Sequence, residues 1–218
     1  MRKFIIRTNI PTDNDGQPVN PRINAARRQA RGMDELIGLC EGLIADGRVV
    51  QMEAEYLTAW LEQSVDVVNK WPVREILIRI DEMLSDGVLD TDEQAELLEL
   101  LHGFTGDAMV IQGERLSTSL PLDSPLPDVR FSGRSFCFTG RFAWGDRAAC
   151  ETETIRRFGA VHAAPTTKTD YLVIGTFTSR DWKHSSFGTK IMRAVELRDK
   201  FHPVTIIPEQ HWAEALRG

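Results

Sequence analysis

Apolar residues recur with two different periods along this chain, and the change falls near its middle. In the first half they recur every three to four positions, the spacing of one face of an α-helix. Met33, Leu36, Ile37, Cys40 and Ile44 form one such face, and Met52, Tyr56, Leu57, Trp60 and Leu61 a second. Val73, Ile76, Leu77, Ile80 and Leu84 form a third, with Pro72 suited to its first turn, and Leu97, Leu98, Leu101 and Phe104 a fourth. Four helices are expected from this pattern. In the second half the apolar residues come as short continuous runs: Ser135–Phe138 entering Thr139-Gly140, Val161–Ala163, Tyr171–Ile174 closed by Gly175, and Val204–Ile207. Between them lie helical stretches, Asp146–Phe158 with apolar Ala149, Ile155 and Phe158, Lys190–Leu197, and Pro208–Leu216. The order is β-α-β-β-α-β-α, and apolar strands alternating with helices imply a parallel sheet covered on both faces.

The punctuation agrees with a two-part chain. Residues 117–130, STSLPLDSPLPDVR, carry three prolines and three serines and no helical period, which is linker composition. Residues 1–32 show no period and are expected to form a mostly irregular arm with a short strand near Lys3–Thr8. The expected division is arm 1–32, helical unit 33–110, linker 111–129 and α/β unit 130–218.

The helical unit contains a repeat. LIADGRVVQMEAEYLTAWL (43–61) aligns with MLSDGVLDTDEQAELLELL (83–101) at a constant offset. Asp46-Gly47 matches Asp86-Gly87, Val49 matches Leu89, Glu53 matches Glu93, and Leu57 and Leu61 match Leu97 and Leu101. Each unit reads as helix, Asp-Gly turn, helix. The glycine permits the left-handed residue that ends the first helix, and the carboxylates after it suit the positive end of the next helix dipole. Asp46, Glu53, Asp86 and Glu93 therefore have two readings: helix capping, or divalent-metal ligation. A calcium loop of the helix-loop-helix type would need oxygen donors at Ile44 and Leu84, which have none. The paired Asp-Gly pattern in an all-helical unit resembles the TerB-like domains of tellurite-resistance and stress proteins. Some members of that family bind divalent metal.

Composition adds a charge contrast. Residues 1–127 carry 12 Lys and Arg against 22 Asp and Glu, and residues 128–218 carry 14 against 10. By net charge the second half could approach a polyanion, whereas the first should not. Within the first half, the basic arm residues Arg27, Arg28 and Arg31 read either as a nucleic-acid contact or as a solvated helix start. Cys40, Cys137 and Cys150 form no CxxC pair and read as buried apolar residues in a reducing compartment. No window approaches the roughly 18 apolar residues of a membrane span, and the run Phe4–Ile6 is short for a signal peptide. A cytoplasmic protein without membrane contact is expected.

In the second half FTGRF (138–142), Arg147, Gly159-Ala160, the Thr-x-x-Thr-Asp-Tyr-Leu-Val of 166–173, the Gly-Thr-Lys of 188–190 and Trp212 occur in the order and spacing of a BRCT domain. The resemblance covers residues 130–218. It is nearest to the subtype at the C-terminus of NAD-dependent DNA ligases and in the large subunit of the eukaryotic clamp loader. The fold expected for the chain is thus an α/β BRCT domain, a four-stranded parallel sheet with helices on both faces, preceded by a small all-α helical-repeat domain. One departure is the long stretch Thr176–Phe187, which adds Arg180, Trp182, Lys183 and His184.

The resemblance implies a phosphate pocket at Thr139, Gly140, Arg147, Thr189 and Lys190, and the residue types suit it. A strand-end hydroxyl and an unobstructed N–H can meet an anion, a helix N-terminus favours one, and arginine can add a bidentate contact. Singly, each residue also has a plain structural role as turn, cap or surface charge. Trp212 reads as a core anchor. No Lys-x-Asp-Gly adenylation motif, GxxxxGK[ST] loop or GxSxG elbow is present. The expectation is a non-enzymatic DNA-binding or scaffolding factor of bacterial replication or repair, needing no cofactor. Its partner would be a DNA end, a nick or a 5′-phosphate. The alternatives are a module reading a phosphorylated or acidic protein, and a metal-linked stress protein acting through the helical unit. The sequence names no partner for that unit.

Overall fold

A computed structural model describes residues 21–106, 120–178, 188–200 and 204–218. The expected strand near Lys3–Thr8 and the residues Arg180, Trp182, Lys183 and His184 lie outside them. The first half forms four helices: α1 (Pro21–Leu43), α2 (Gln51–Gln63), α3 (Val73–Met83) and α4 (Thr91–Gly106). The second half runs β1 (Ser135–Thr139), α5 (Arg147–Arg156), β2 (Ala160–Val161), β3 (Tyr171–Ile174), α6 (Gly188–Lys200), β4 (Thr205–Pro208) and α7 (Glu209–Ala215).

Residues 21–32, expected to belong to an irregular arm, are helical and continue into α1. PRINAARRQARG lacks an apolar stripe, so periodicity could not reveal it, but alanine, arginine and glutamine are strong helix formers. Arg28 reaches Asp66 at 3.3 Å and Arg31 reaches Glu35 at 2.8 Å, so two of the three arm arginines have carboxylate partners on the protein itself.

The repeat is repeated in three dimensions. Gly47 and Gly87 both take left-handed backbone, with φ of 81° and 83°. Matched positions are matched in burial: Val49 with Leu89, Leu57 with Leu97, and Leu61 with Leu101 all enter one core. A fully buried leucine contributes roughly 1.5–3 kcal/mol, so the four leucines anchor this core. Gln51 ties the two turns together, donating to the Gly87 carbonyl at 3.0 Å and accepting from the Leu89 N–H. On α2 the buried face is Ala54, Leu57 and Leu61, whereas Met52 and Tyr56, expected on that face, are exposed.

The four strands form one all-parallel sheet in the order β2-β1-β3-β4. Alternate side chains point to opposite faces. Phe136, Phe138, Tyr171, Val173 and Ile207 meet Cys150 of α5 and Trp212 of α7. On the other side Cys137, Leu172, Ile174 and Ile206 meet Ile191, Ala194 and Leu197 of α6. Trp212 is fully buried, packs edge-on against Phe138 and Trp144 at 5.5 and 5.2 Å, and donates to Thr154 Oγ1. The expected apolar residues of α5 are not its core face: Ala149, Ile155 and Phe158 are exposed, and Cys150 and Thr154 are buried. The three cysteines are buried free thiols. Among the described residues no helix is long and apolar enough to cross a membrane.

Residues 120–130, expected as linker, are laid along the sheet. Leu120 and Leu122 pack on the α6 side, Asp123 accepts from the Ile206 N–H and from Arg198, and the Tyr171 hydroxyl donates to the Asp128 carbonyl at 3.4 Å. The helices also dock on the sheet. Ala143 and Phe177, which follow β1 and β3, join the helical core. Trp71 donates to Thr176 Oγ1 at 3.0 Å, Arg79 to the Ala143 carbonyl at 3.4 Å, and Arg217 pairs with the buried Glu75. The helical unit therefore sits at the C-terminal end of the sheet.

At the opposite end Asp170 staples β1 to β3. It accepts from the Ser135 N–H at 2.8 Å, the Ser135 hydroxyl at 2.9 Å and Arg134 at 2.9 Å. Burial alone would raise its carboxyl. The Ser135 N–H, the Arg134 guanidinium and the Ser135 hydroxyl together hold it below its ordinary value of 3.8. A lowered folded value means a stabilisation present above the unfolded value and lost as pH falls through the folded one. Urea midpoints of the wild type and Asp170→Asn should differ at about pH 7 and converge towards about pH 3. A difference that stays constant over that range would show that the Asp170 charge contributes nothing.

Candidate functional site

The geometry at the end of β1 follows from a shortage of strand. β2 has only two residues, pairing Ser135 with Ala160 and Phe136 with Val161, and His162 N–H then takes the Phe136 carbonyl. Beyond that point no strand among the described residues neighbours this edge of β1. The next two carbonyls on the same side, of Phe138 and Gly140, need donors. Lys190, in the first turn of α6, donates to the Phe138 carbonyl at 3.3 Å. Arg147, at the start of α5, donates to the Gly140 carbonyl at 3.3 Å. Since α5 and α6 cover opposite faces, two cations reach one strand edge from the two sides of the sheet. At ~3.3 Å rise per residue, their acceptor residues are roughly 7 Å apart.

Both cations are also felt by the neighbouring Cys137 thiol. Burial pushes it up to about 11, against the downward pull of Lys190 and Arg147. The Nε of Arg147 is buried without a hydrogen-bond partner, so this guanidinium has an unused donor. Asp146 caps α5, accepting from Ala149 N–H at 2.6 Å, and so fixes where Arg147 begins.

The other expected phosphate residues are placed as follows. Gly140 has φ of 96°, and a Cβ there would run into the Thr178 hydroxyl, so only glycine fits. Thr139 is fully buried, at 0% exposure, which puts its side chain inside the sheet end and away from solvent. Thr189 lies exposed in the first turn of α6, one residue before Lys190. Gly140, Arg147 and Lys190 are thus gathered at one edge, with Thr189 beside them and Thr139 beneath.

Two residues that the motif reading passes over shape this region. Thr178 donates to the Gly175 carbonyl at 2.7 Å and occupies the space against Gly140. Glu209, 1% exposed, accepts from Ala143 N–H at 2.8 Å, Trp144 N–H at 2.7 Å and Thr176 N–H at 2.8 Å. Burial pushes its carboxyl up, and those donors pull it back. In sequence Glu209 is an ordinary first-turn glutamate after proline, with nothing to mark it as buried.

Of the four candidate metal residues, Asp46 and Asp86 lie in the two Asp-Gly turns and Glu53 and Glu93 in the first turns of α2 and α4, and all four bond locally. Asp46 accepts from the Arg48 N–H at 3.1 Å, and Asp86 from the Val88 N–H at 2.9 Å. Glu53 reaches back to the Val50 N–H, and Glu93 to the Asp90 N–H, both at 2.9 Å. This is capping geometry. Among the described residues no three His, Cys, Asp or Glu are grouped to hold a metal ion.

No family model matches the chain, and no curated protein matches it in sequence.

Proposed function

We propose that this protein is a non-enzymatic accessory factor that binds the 5′-phosphate of DNA ends or nicks in bacterial replication or repair. In this reading residues 130–218 are a BRCT domain, the four-helix unit is a scaffold docked on it, and the protein works in the cytoplasm. One observation carries the reading: Lys190 and Arg147 converge from opposite faces on the unpaired edge of β1, beside Gly140. A phosphate placed there could take one Lys190 N–H, the exposed Thr189 hydroxyl and the charge of the half-buried Arg147 guanidinium. The positive balance of residues 128–218 suits a polyanionic partner.

The test is an anisotropy titration with nicked duplexes carrying 5′-phosphate or 5′-hydroxyl, at two salt concentrations. Lys190→Glu is expected to weaken binding far more than Lys200→Glu, which makes the same charge change at the far end of α6. A charge-assisted contact contributes about 1.5–3 kcal/mol, or roughly tenfold to a hundredfold in affinity. Removing the 5′-phosphate should weaken the wild type and leave Lys190→Glu nearly unchanged. Equal losses for both lysines, with indifference to the phosphate, would leave only a basic surface.

A further inference from the structure

The helical unit brings its own charge to this edge. A cavity of about 270 Å³ lies between α4 and the chain that follows β1. Glu96, Glu99 and Leu100 line it from α4, and Gly140, Arg141 and Arg147 from the other side. Arg147 thus belongs both to the cavity and to the cation pair on the strand edge. Glu96 is engaged by Arg79, a buried guanidinium that also holds the Ala143 carbonyl. Glu99 is exposed and has no ion-pair partner among the described residues. The docking fixes where these carboxylates stand. Gly103 of α4 lies against the Phe177 ring so closely that a Cβ would come within 2.9 Å of it, and Trp71 is bonded to Thr176.

Resting on the phosphate reading above, we infer that Glu99 is a specificity determinant that keeps a continuous nucleic-acid backbone off the site and leaves it to a terminal phosphate. Duplex DNA carries one charge per ~1.7 Å of its axis. Because Glu99 lines the same cavity as Arg147, a strand that continues past the cations along α4 brings further phosphates towards it, where charges within a screening length of about 8 Å at physiological salt repel. A strand that stops at its 5′-phosphate has no such neighbours on one side. The same carboxylate that repels the first ligand therefore spares the second.

The experiment uses the full chain and two DNA dumbbells of one sequence, one covalently closed and one carrying a single nick with a 5′-phosphate. Glu99→Gln is the variant, because its side chain is solvated and supports no other group; Glu41→Gln makes the same charge change on α1, away from the cavity. The wild type should prefer the nicked dumbbell. Glu99→Gln should bind the closed dumbbell about three- to tenfold more tightly and the nicked one nearly as before, while Glu41→Gln leaves their ratio unchanged. Equal gains on both DNAs, no gain, or the same shift in Glu41→Gln would overturn the assignment. If the wild type keeps its phosphate preference in that event, only this inference falls. If the wild type does not distinguish a 5′-phosphate nick from a 5′-hydroxyl nick, both readings fall.

Discussion

Glu209→Ala should destabilise the protein by about 3–5 kcal/mol, the range for removing one side of a buried charged network. The carboxylate gathers N–H donors from two chain segments, Ala143 and Trp144 after β1 and Thr176 after β3, at the first turn of α7. An alanine there leaves three donors in a place with little room for water, at about 1–3 kcal/mol for each one left unsatisfied. Neighbouring losses of this kind do not add in full, so the total stays below their sum. Glu209→Gln should cost less, since one oxygen can still accept from Ala143 and Trp144 while an amide NH₂ faces Thr176. Urea denaturation read by near-ultraviolet circular dichroism measures both. A loss under about 1 kcal/mol for the alanine variant would mean that water replaces the carboxylate, and that the segments are held by packing alone. The same substitution should also weaken the proposed phosphate binding, because Ala143 and Trp144 lie between Gly140 and Arg147.

Much of this architecture is legible in the chain, for identifiable reasons. Leu57, Leu61, Leu97 and Leu101 repeat because each closes the same helix-turn-helix core, and a glycine recurs at Gly47 and Gly87 because both turns need a left-handed residue. Phe136–Phe138 and Tyr171–Ile174 read as strands because a parallel sheet covered on both faces has no polar side. Other parts leave no such trace. The start of α1 has helix propensity without an apolar stripe. Met52 and Tyr56 fit the period of α2 but stand on its solvent side, since a period does not say how wide the buried stripe is. Docking of the helices on the sheet rests on Ala143 and Phe177 entering the helical core and on Trp71–Thr176, Arg79–Ala143 and Arg217–Glu75, contacts between distant positions that produce no periodicity. The candidate site divides in the same way. Gly140, Arg147 and Lys190 are marked by motif, whereas their meeting on one strand edge depends on β2 being only two residues long. Glu96, Glu99 and Glu209 stand beside it only because of tertiary packing.

Gly175→Ala should be nearly as damaging as Glu209→Ala, at about 3 kcal/mol, the upper part of the range for overpacking. Gly175 continues the β1–β3 pairing past the strand ends: its N–H donates to the Thr139 carbonyl at 2.9 Å, and Phe177 N–H donates to the Arg141 carbonyl at 3.1 Å. A Cβ on Gly175 would run into the carbonyl group of Arg141 and come within 3.0 Å of its nitrogen. Those obstacles are main chain, so no rotamer change relieves them, and the two segments must separate. Separation moves Arg141 and Gly140 on one side and Thr176, the partner of Trp71, on the other. The variant should therefore lose the proposed phosphate binding and loosen the helical unit together, seen as a lower urea midpoint and faster exchange of the Trp71 indole N–H and the Ala143 amide. Gly133→Ala is the control. Gly133, unlike Gly175, has a positive φ, of 71°, and a Cβ there meets nothing within 4 Å. It should cost only about 1–2 kcal/mol for the left-handed backbone and leave exchange at Trp71 unchanged. If Gly175→Ala proved no more costly than Gly133→Ala, the approach of the two segments would have to be loose enough to admit a methyl group. The ends of β1 and β3 could not then be the rigid platform on which both the cation pair and the helical unit depend.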